Sequence, residues 1–238
     1  MTTSFLAFDL EIARIVADFS QWRQHRPLGI TCAATLDERD HLRLWYSRLP
    51  DGRPAPQMTE ALARELLVYL SEQQASGRHV VTWNGATFDF DVLGEEAGNP
   101  DLAGRVARAH VDLMVAFACV QGRRLSLKKA ALACGSFKGA GGIESGADAP
   151  VLWAAGKYEQ TLAYLEQDVR ATSDVTQYLL AHRGFNWETS KDTRATFQLP
   201  AAVKTLQDMT VERAIAWPEP DGYGHETMVN RSDFLAWA

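Results

Sequence analysis

The chain has 238 residues, of which 46% are apolar and 23% charged, values typical of a globular protein that buries a full core. Membrane-spanning and secreted proteins are not expected, because no apolar run approaches about 18 residues and the first residues lack a secretory signal. The formal net charge of −6 argues against a protein that coats nucleic acid through bulk electrostatics. It does not exclude metal-binding carboxylates or a local basic patch.

Three cysteines, Cys32, Cys119 and Cys134, are widely spaced and odd in number. Each has apolar or small neighbours, which favours buried free thiols. Because no Cys-x-x-Cys pair or Cys/His cluster is present, structural zinc is not expected and a reducing cytoplasm fits best.

The first half of the chain is predicted to begin with three strands whose short connections favour antiparallel neighbours. A helix with Thr59 at its N-cap and a fourth strand follow, an order that predicts an α/β fold with a mixed sheet flanked by helices. The predicted ranges are 4–12, 28–35 and 42–49 for the first strands, 58–76 for the helix and 79–83 for the fourth strand.

The second half is predicted to be mainly helical, with one short strand and a glycine-rich loop. Beyond Gly184 the apolar pattern is lost, so we expect one domain over 1–184 and a packed C-terminal extension over 185–238. The predicted ranges are 86–98, 113–121, 126–134 and 158–182 for helices, 109–112 for the strand, 135–149 for the loop and 200–215 for a possible helix in the extension.

Two acidic residues, Asp9 and Glu11, interrupt the first predicted strand. Residues two apart on a strand share a face, so both carboxylates point the same way while Leu10 points oppositely. Adjacent buried carboxylates are costly unless a cation pairs with them, and Mg²⁺ or Mn²⁺ prefers carboxylate oxygens. A solvated strand end is the alternative, since an Asp-x-Glu tripeptide is common.

The fourth predicted strand ends in the sequence WNGATFD (83–89), where an Asn-Gly turn leads into a helix. Ligands of α/β sheets collect at the carboxyl ends of strands, which makes Asp89 a candidate site residue. Asp91 faces elsewhere on the helix and is the weaker candidate. The alternatives are stabilisation of the helix dipole by Asp89 and simple turn formation by Asn84.

Tyr164 and Asp168 lie four positions apart on the longest predicted helix and therefore share a face. This spacing can bring a phenol and a carboxylate to one metal-bound water. The alternative is an amphipathic helix whose tyrosine packs and whose aspartate is solvated.

The chain thus carries Asp-x-Glu, Asn-x-x-x-Phe-Asp and Tyr-x-x-x-Asp, in that order, on a strand, a strand-to-helix turn and a helix. In this combination it resembles the DEDD superfamily of 3′→5′ exonucleases, in the subgroup with tyrosine in the third motif. It is similar in particular to the proofreading exonuclease domain of family B DNA polymerases. The landmarks HVDLM (110–114) and LSLKK (125–129) agree, and the resemblance over residues 4–184 implies a ribonuclease-H-like sheet.

The resemblance also implies two divalent metal ions, Mg²⁺ or Mn²⁺, bound by four carboxylates: Asp9, Glu11, Asp89 and Asp168. Tyr164 would position the attacking water and completes the implied catalytic set. The implied substrate contacts are Leu10, Asn84 and Phe88. Asp112 matches a landmark that is more often structural, so we leave it out of the catalytic set.

The activity implied is metal-dependent hydrolysis from the 3′ end of nucleic acid, with release of nucleoside 5′-monophosphates. Single-stranded DNA is favoured as substrate because of the polymerase-type motifs. An exoribonuclease is one alternative, since no residue pattern reports on the 2′-hydroxyl. A non-catalytic nucleic-acid-binding module is another, although all four carboxylate positions are occupied. No membrane partner is expected, and the pattern identifies no protein partner in replication or repair.

Overall fold

The fold is that of a computed structural model, which describes residues 4–136, 146–189, 193–218 and 229–238. Its main sheet contains the strands β1 (Phe5–Ile12), β2 (Ile30–Asp37), β3 (Leu42–Trp45), β4 (His79–Thr82) and β5 (Val111–Asp112). Their order is β3-β2-β1-β4-β5. Because β1 is antiparallel to β2 but parallel to β4, the sheet is mixed, as predicted.

Helices cover both faces of this sheet. The α-helices of the described residues are α1 (Glu60–Ala75), α2 (Asp89–Glu96), α3 (Pro100–Ala109), α4 (Leu113–Gln121), α5 (Leu127–Ala133), α6 (Ala149–Ala154), α7 (Tyr158–His182) and α8 (Val211–Ala214). Within the part of the chain that the structure describes, none of them has the length and apolarity to cross a membrane.

The alternation along β1 divides its side chains between two cores. Leu6, Phe8, Leu10 and Ile12 point into the core shared with α1 and α2. The opposite face begins with Phe5 and Ala7, which belong to clusters with residues of α7. Since side chains alternate along a strand, Asp9 and Glu11 continue the face that α7 covers.

Several predicted boundaries shift for local reasons. The second strand runs to Asp37 because that carboxylate accepts the N–H groups of Arg39 and His41 and so closes the turn. The third strand ends at Trp45 rather than at 49. The chain forms a turn at this point, in which the N–H of Leu49 donates to the carbonyl of Arg53. Thr59 caps α1 as predicted, by accepting the N–H of Leu62.

The prediction for residues 86–112 needs correction. Helix α2 begins only at Asp89, and the unpredicted helix α3 extends to Ala109, which shortens the expected strand to Val111–Asp112. Asn99 caps α3 by accepting the N–H of Leu102. Of the expected loop 135–149, residues 137–145 lie outside the described residues, and α6 already begins at Ala149.

The single helix expected over 200–215 is wrong. A short 3₁₀ helix covers Leu206–Met209 and α8 covers only four residues. An unpredicted hairpin, β6 (Gly184–Glu188) and β7 (Arg194–Gln198), packs Trp187 and Phe197 against Phe117 of α4 with ring centroids 5.1 Å apart. The division of the chain at residue 184 stays a prediction.

The three cysteines are free thiols, as predicted. Cys32 and Cys119 are buried, whereas Cys134 is only half-buried.

Candidate active site

Three acidic side chains converge where β1 faces α7. Asp9 and Glu11 extend from β1, and Asp168 lies on the helix face opposite them. Each offers a carboxylate oxygen, and these oxygens all lie within 4.8 Å of one another. Like charges this close repel in a poorly solvated site unless a proton or a cation is shared.

Asp89 joins this group from the neighbouring strand connection. It is the first residue of α2, is 3% exposed and accepts the N–H of Leu10 at 3.1 Å. Its side chain is also hydrogen-bonded to Asp9. Burial raises the pKa of Asp89, and the charge of Asp112 acts in the same direction. The parallel pairing of β1 and β4 brings Asp89 here, because it sets their carboxyl ends side by side.

Tyr164 lies one turn before Asp168 on α7 and faces the same acids. Its hydroxyl donates a hydrogen bond to the Asp168 carboxylate. Burial raises the pKa of Tyr164 far above its ordinary value, and the charges of Asp168, Glu11 and Asp9 raise it further. The phenol is thus placed as a hydrogen-bond donor to the acids of the cleft.

These residues line a cavity of about 140 Å³, which we call the carboxylate cleft. The structure brings all the predicted site residues to its lining: Asp9, Leu10, Glu11, Asn84, Phe88, Asp89, Tyr164 and Asp168. The Leu10 side chain is buried in the core. Their roles in catalysis stay predictions.

The turn that carries Asn84 is stabilised by hydrogen bonds to Asp112. This fully buried carboxylate accepts the N–H groups of Asn84 and Ala86, and also those of Met114 and Val115 in α4. Gly85 is required in the turn, because a Cβ there would lie 2.5 Å from the Oγ1 atom of Thr82. Asp112 thus stabilises the turn and stays outside the cleft.

Asp91, the weaker sequence candidate, also stays outside the cleft. Its buried carboxylate pairs with Arg26 at 2.8 Å and with Arg23 at 3.3 Å. Sequence reasoning missed Phe19 and Gly146, which do line the cleft. Phe19 packs on Phe88 with ring centroids 5.3 Å apart, and no periodic pattern in the sequence around it indicated this contact.

The donor set of the cleft fits a hard divalent cation. Three carboxylates offer converging oxygens, and the fourth, Asp89, is hydrogen-bonded to one of them. Oxygen ligands of this kind suit Mg²⁺ and Mn²⁺, whereas softer metals favour sulfur or imidazole. The arrangement can therefore concentrate positive charge beside a bound phosphate.

Comparison with known proteins shows which fold family the chain resembles. A family model described as the RNase H superfamily matches residues 38–180, more than half of the chain, a range that includes Asp89, Tyr164 and Asp168 but not β1. A family B DNA polymerase from the hyperthermophilic archaeon Pyrobaculum calidifontis aligns with a TM-score of 0.54 and 20% identity, over 76% of this chain and 25% of the polymerase.

A product-bound structure of exonuclease I aligns with a TM-score of 0.41 and 14% identity, over 76% of this chain and 44% of that chain. This chain thus spans about a quarter of the polymerase and less than half of exonuclease I. No curated protein matches its sequence. The family match and the mixed sheet confirm the predicted ribonuclease-H-like fold, and the chain belongs to the RNase H superfamily.

Proposed function

We propose that the chain is a metal-dependent 3′→5′ exonuclease that releases nucleoside 5′-monophosphates from single-stranded DNA. Membership of the RNase H superfamily supports a nuclease. The observation that carries the proposal is the convergence of the Asp9, Glu11 and Asp168 carboxylates within 4.8 Å. The 3′→5′ direction and the choice of DNA rest on the three-motif resemblance.

In this proposal Asp9, Glu11, Asp89 and Asp168 hold two divalent ions, Mg²⁺ or Mn²⁺. When bound, such ions lower the pKa of an attacking water and stabilise the charge on the departing oxygen. The four carboxylates offset the added positive charge, and the Leu10 N–H fixes the orientation of Asp89.

Tyr164 contributes by donating a hydrogen bond. Burial and the negative charges of the cleft raise the pKa of its phenol. We assign it the orientation of the attacking water, while the metal ions would supply most of the activation of that water. Two further side chains, Asn84 and Phe88, are proposed to contact the terminal nucleotide, Phe88 through its half-buried ring and Asn84 through an amide that is hydrogen-bonded to the Thr87 hydroxyl.

The test is hydrolysis of a 3′-end-labelled single-stranded oligodeoxynucleotide in Mg²⁺ or Mn²⁺. We expect Asp9→Ala and Asp168→Ala each to lower the rate at least about 1,000-fold, as expected when metal-assisted stabilisation of the transition state is removed. Asp174→Ala is the matched control, because Asp174 is an exposed aspartate on the same helix as Asp168. Near-full activity of both cleft variants would contradict the proposal.

Tyr164→Phe should have a smaller effect. Loss of one orienting hydrogen bond, worth about 1 kcal/mol, corresponds to roughly a 5- to 10-fold lower rate. Tyr178→Phe, on the same helix and outside the cleft, is the control. An unchanged rate in Tyr164→Phe would remove the phenol from the mechanism.

Substrate and polarity are tested with single-stranded DNA, duplex DNA and RNA, each labelled at the 3′ or the 5′ end, in Mn²⁺. We expect immediate release of the 3′ label and a shortening ladder from 5′-labelled single-stranded DNA. Faster hydrolysis of RNA than of single-stranded DNA would identify RNA as the preferred substrate. Binding without hydrolysis of any strand would identify a non-catalytic binding module.

A further inference from the structure

A second, larger groove opens beside the carboxylate cleft. Its volume is about 820 Å³, within the range of about 300–1,000 Å³ found for ligand sites. It shares the lining residues Phe19, Asn84 and Phe88 with the cleft, so the two spaces are adjacent. We call it the arginine groove, and its characteristic lining residues are Phe19, Trp22, Arg23, Arg26, Arg124 and Trp237.

Aromatic rings form two walls of the arginine groove. On one wall Phe19 is 40% exposed and packs on Phe88, which Trp22 contacts edge-on at 5.0 Å. On the other wall Trp237 is half-buried, and its indole N–H donates to the Ala86 carbonyl at 2.7 Å. This hydrogen bond ties the C-terminal residues to the turn of the cleft. Rings fixed in this way offer faces on which unpaired bases can stack.

The arginines of the groove differ in how they are compensated. Arg26 is bound by Asp91 and Glu95, each at 2.8 Å, so its charge is largely offset. Arg23 shares Asp91, but its side chain is 50% exposed and lies over the Trp22 ring at 4.4 Å. Its guanidinium is thereby oriented while remaining accessible to a phosphate.

Arg124 is the groove arginine that has no ion-pair partner among the described residues. Its side chain is exposed. It lies over the Phe234 ring, with 5.6 Å between the guanidinium carbon and the ring centroid. Asp233 is the one acidic residue among the described lining residues, against three arginines. Since Asp91 and Glu95 offset Arg26, the accessible positive charge of the groove comes from Arg124 and the half-exposed Arg23.

We infer that the arginine groove binds the nucleotides that precede the 3′-terminal one on a single strand of nucleic acid. Their bases stack on Phe19 and its aromatic neighbours, and their phosphates contact Arg23 and Arg124. A duplex is disfavoured, because paired bases are stacked on each other and cannot stack on the protein. The inference rests on the proposed function for the direction of the strand, but strand binding itself is independent of hydrolysis.

The test is equilibrium binding of 5′-fluorescein-labelled single-stranded 12-mers, as DNA and as RNA, in EDTA over a range of NaCl concentrations. For a single strand, each lost phosphate contact reduces the slope of log K against log salt by about 0.7. We therefore expect Arg124→Ala to bind more weakly and to show a slope smaller by that amount. Arg39→Ala, an exposed arginine in the β2–β3 turn at the other end of the sheet, should match the wild type.

Phe19→Ala should weaken binding about 10-fold, the effect of losing one base-stacking contact, and should leave the salt slope unchanged. Val68→Ala, at an exposed apolar position on α1, is its control. Equal affinities for the DNA and RNA 12-mers would show that the groove recognises bases and phosphates, which both polymers share. Binding of duplex 12-mers should be weaker than that of either single strand.

Failure of the inference and failure of the proposed function give different results. If Arg124→Ala and Phe19→Ala bind like the wild type, or if the wild type binds no strand at low salt, the inference is overturned. Hydrolysis in Mn²⁺ would still support the nuclease in that case. Groove-dependent binding without any hydrolysis would support the inference and contradict the nuclease.

Discussion

Two groups of buried or half-buried carboxylates in this chain have different surroundings. Asp112 accepts four backbone N–H groups, and Asp91 is paired with two arginines. In the carboxylate cleft, by contrast, Asp9, Glu11 and Asp168 gather their oxygens around one point. The first group stabilises the fold with donors that the protein itself provides. The second offers converging oxygens that a cation from solution could bind, and we propose that these residues serve chemistry rather than stability.

The largest effect on stability is expected at Asp112. Asp112→Ala would leave four backbone N–H groups without their acceptor in a fully buried region, which should lower the free energy of unfolding by about 3–5 kcal/mol. Urea denaturation followed by circular dichroism measures this change. A loss below about 1 kcal/mol would show that Asp112 is not a structural acceptor.

A smaller loss is expected at Asp91. Asp91→Ala removes the common partner of Arg23 and Arg26, but both arginines keep access to water, so the cost should be about 1–3 kcal/mol. Asp101→Ala, at an exposed position in the first turn of α3, is the control. It should lower the free energy of unfolding by only about 0.3–0.5 kcal/mol. Equal losses in the two variants would mean that the buried pairing contributes nothing measurable.

The cleft should respond in the opposite direction. In EDTA, Glu11→Gln relieves repulsion among the cleft carboxylates, so the free energy of unfolding should stay unchanged or rise by up to about 1 kcal/mol. The same variant should lose Mn²⁺-dependent hydrolysis. A destabilisation comparable to that of Asp91→Ala would place Glu11 among the structural acids instead.

The parts of the fold that sequence could predict are those with strong hydrophobic contrast. In β1, apolar residues alternate with Asp9 and Glu11, so one strand reported both the core face and the site face. Helix α7 is long enough for its apolar stripe to be unmistakable, and Tyr164 and Asp168 were placed with it. The family resemblance carried by the three motifs then implied that these elements form one site, and the structure brings them to one cleft.

Other parts offered weaker signals. The inward positions of α3 include Ala103, Gly104 and Ala107, which differ little in hydrophobicity from a loop. The first strand of the β6–β7 hairpin carries an alternation, with Phe185 and Trp187 on one face, which is a detectable strand signal.

The arginine groove could not be predicted from the sequence for a different reason. It depends on contacts between distant segments, such as that between Arg26 and Glu95, which are 69 positions apart. The C-terminal wall depends likewise on the bond from Trp237 to Ala86, 151 positions apart. Local patterns report helices and strands, but they do not report which side chains of separate segments meet.

Stabilisation of the folded chain by Mn²⁺ tests the central claim that the cleft carboxylates bind divalent cations. Thermal unfolding would be followed for the wild type, Asp168→Ala and the control Asp174→Ala at increasing Mn²⁺ concentrations. A cation that binds only the folded state stabilises it by about 2.7 kcal/mol at 100 times its Kd. We expect that gain in the wild type and in Asp174→Ala, and little or none in Asp168→Ala. A melting temperature that does not respond to Mn²⁺ in the wild type, or that responds equally in Asp168→Ala, would contradict the assignment of the cleft as a metal site.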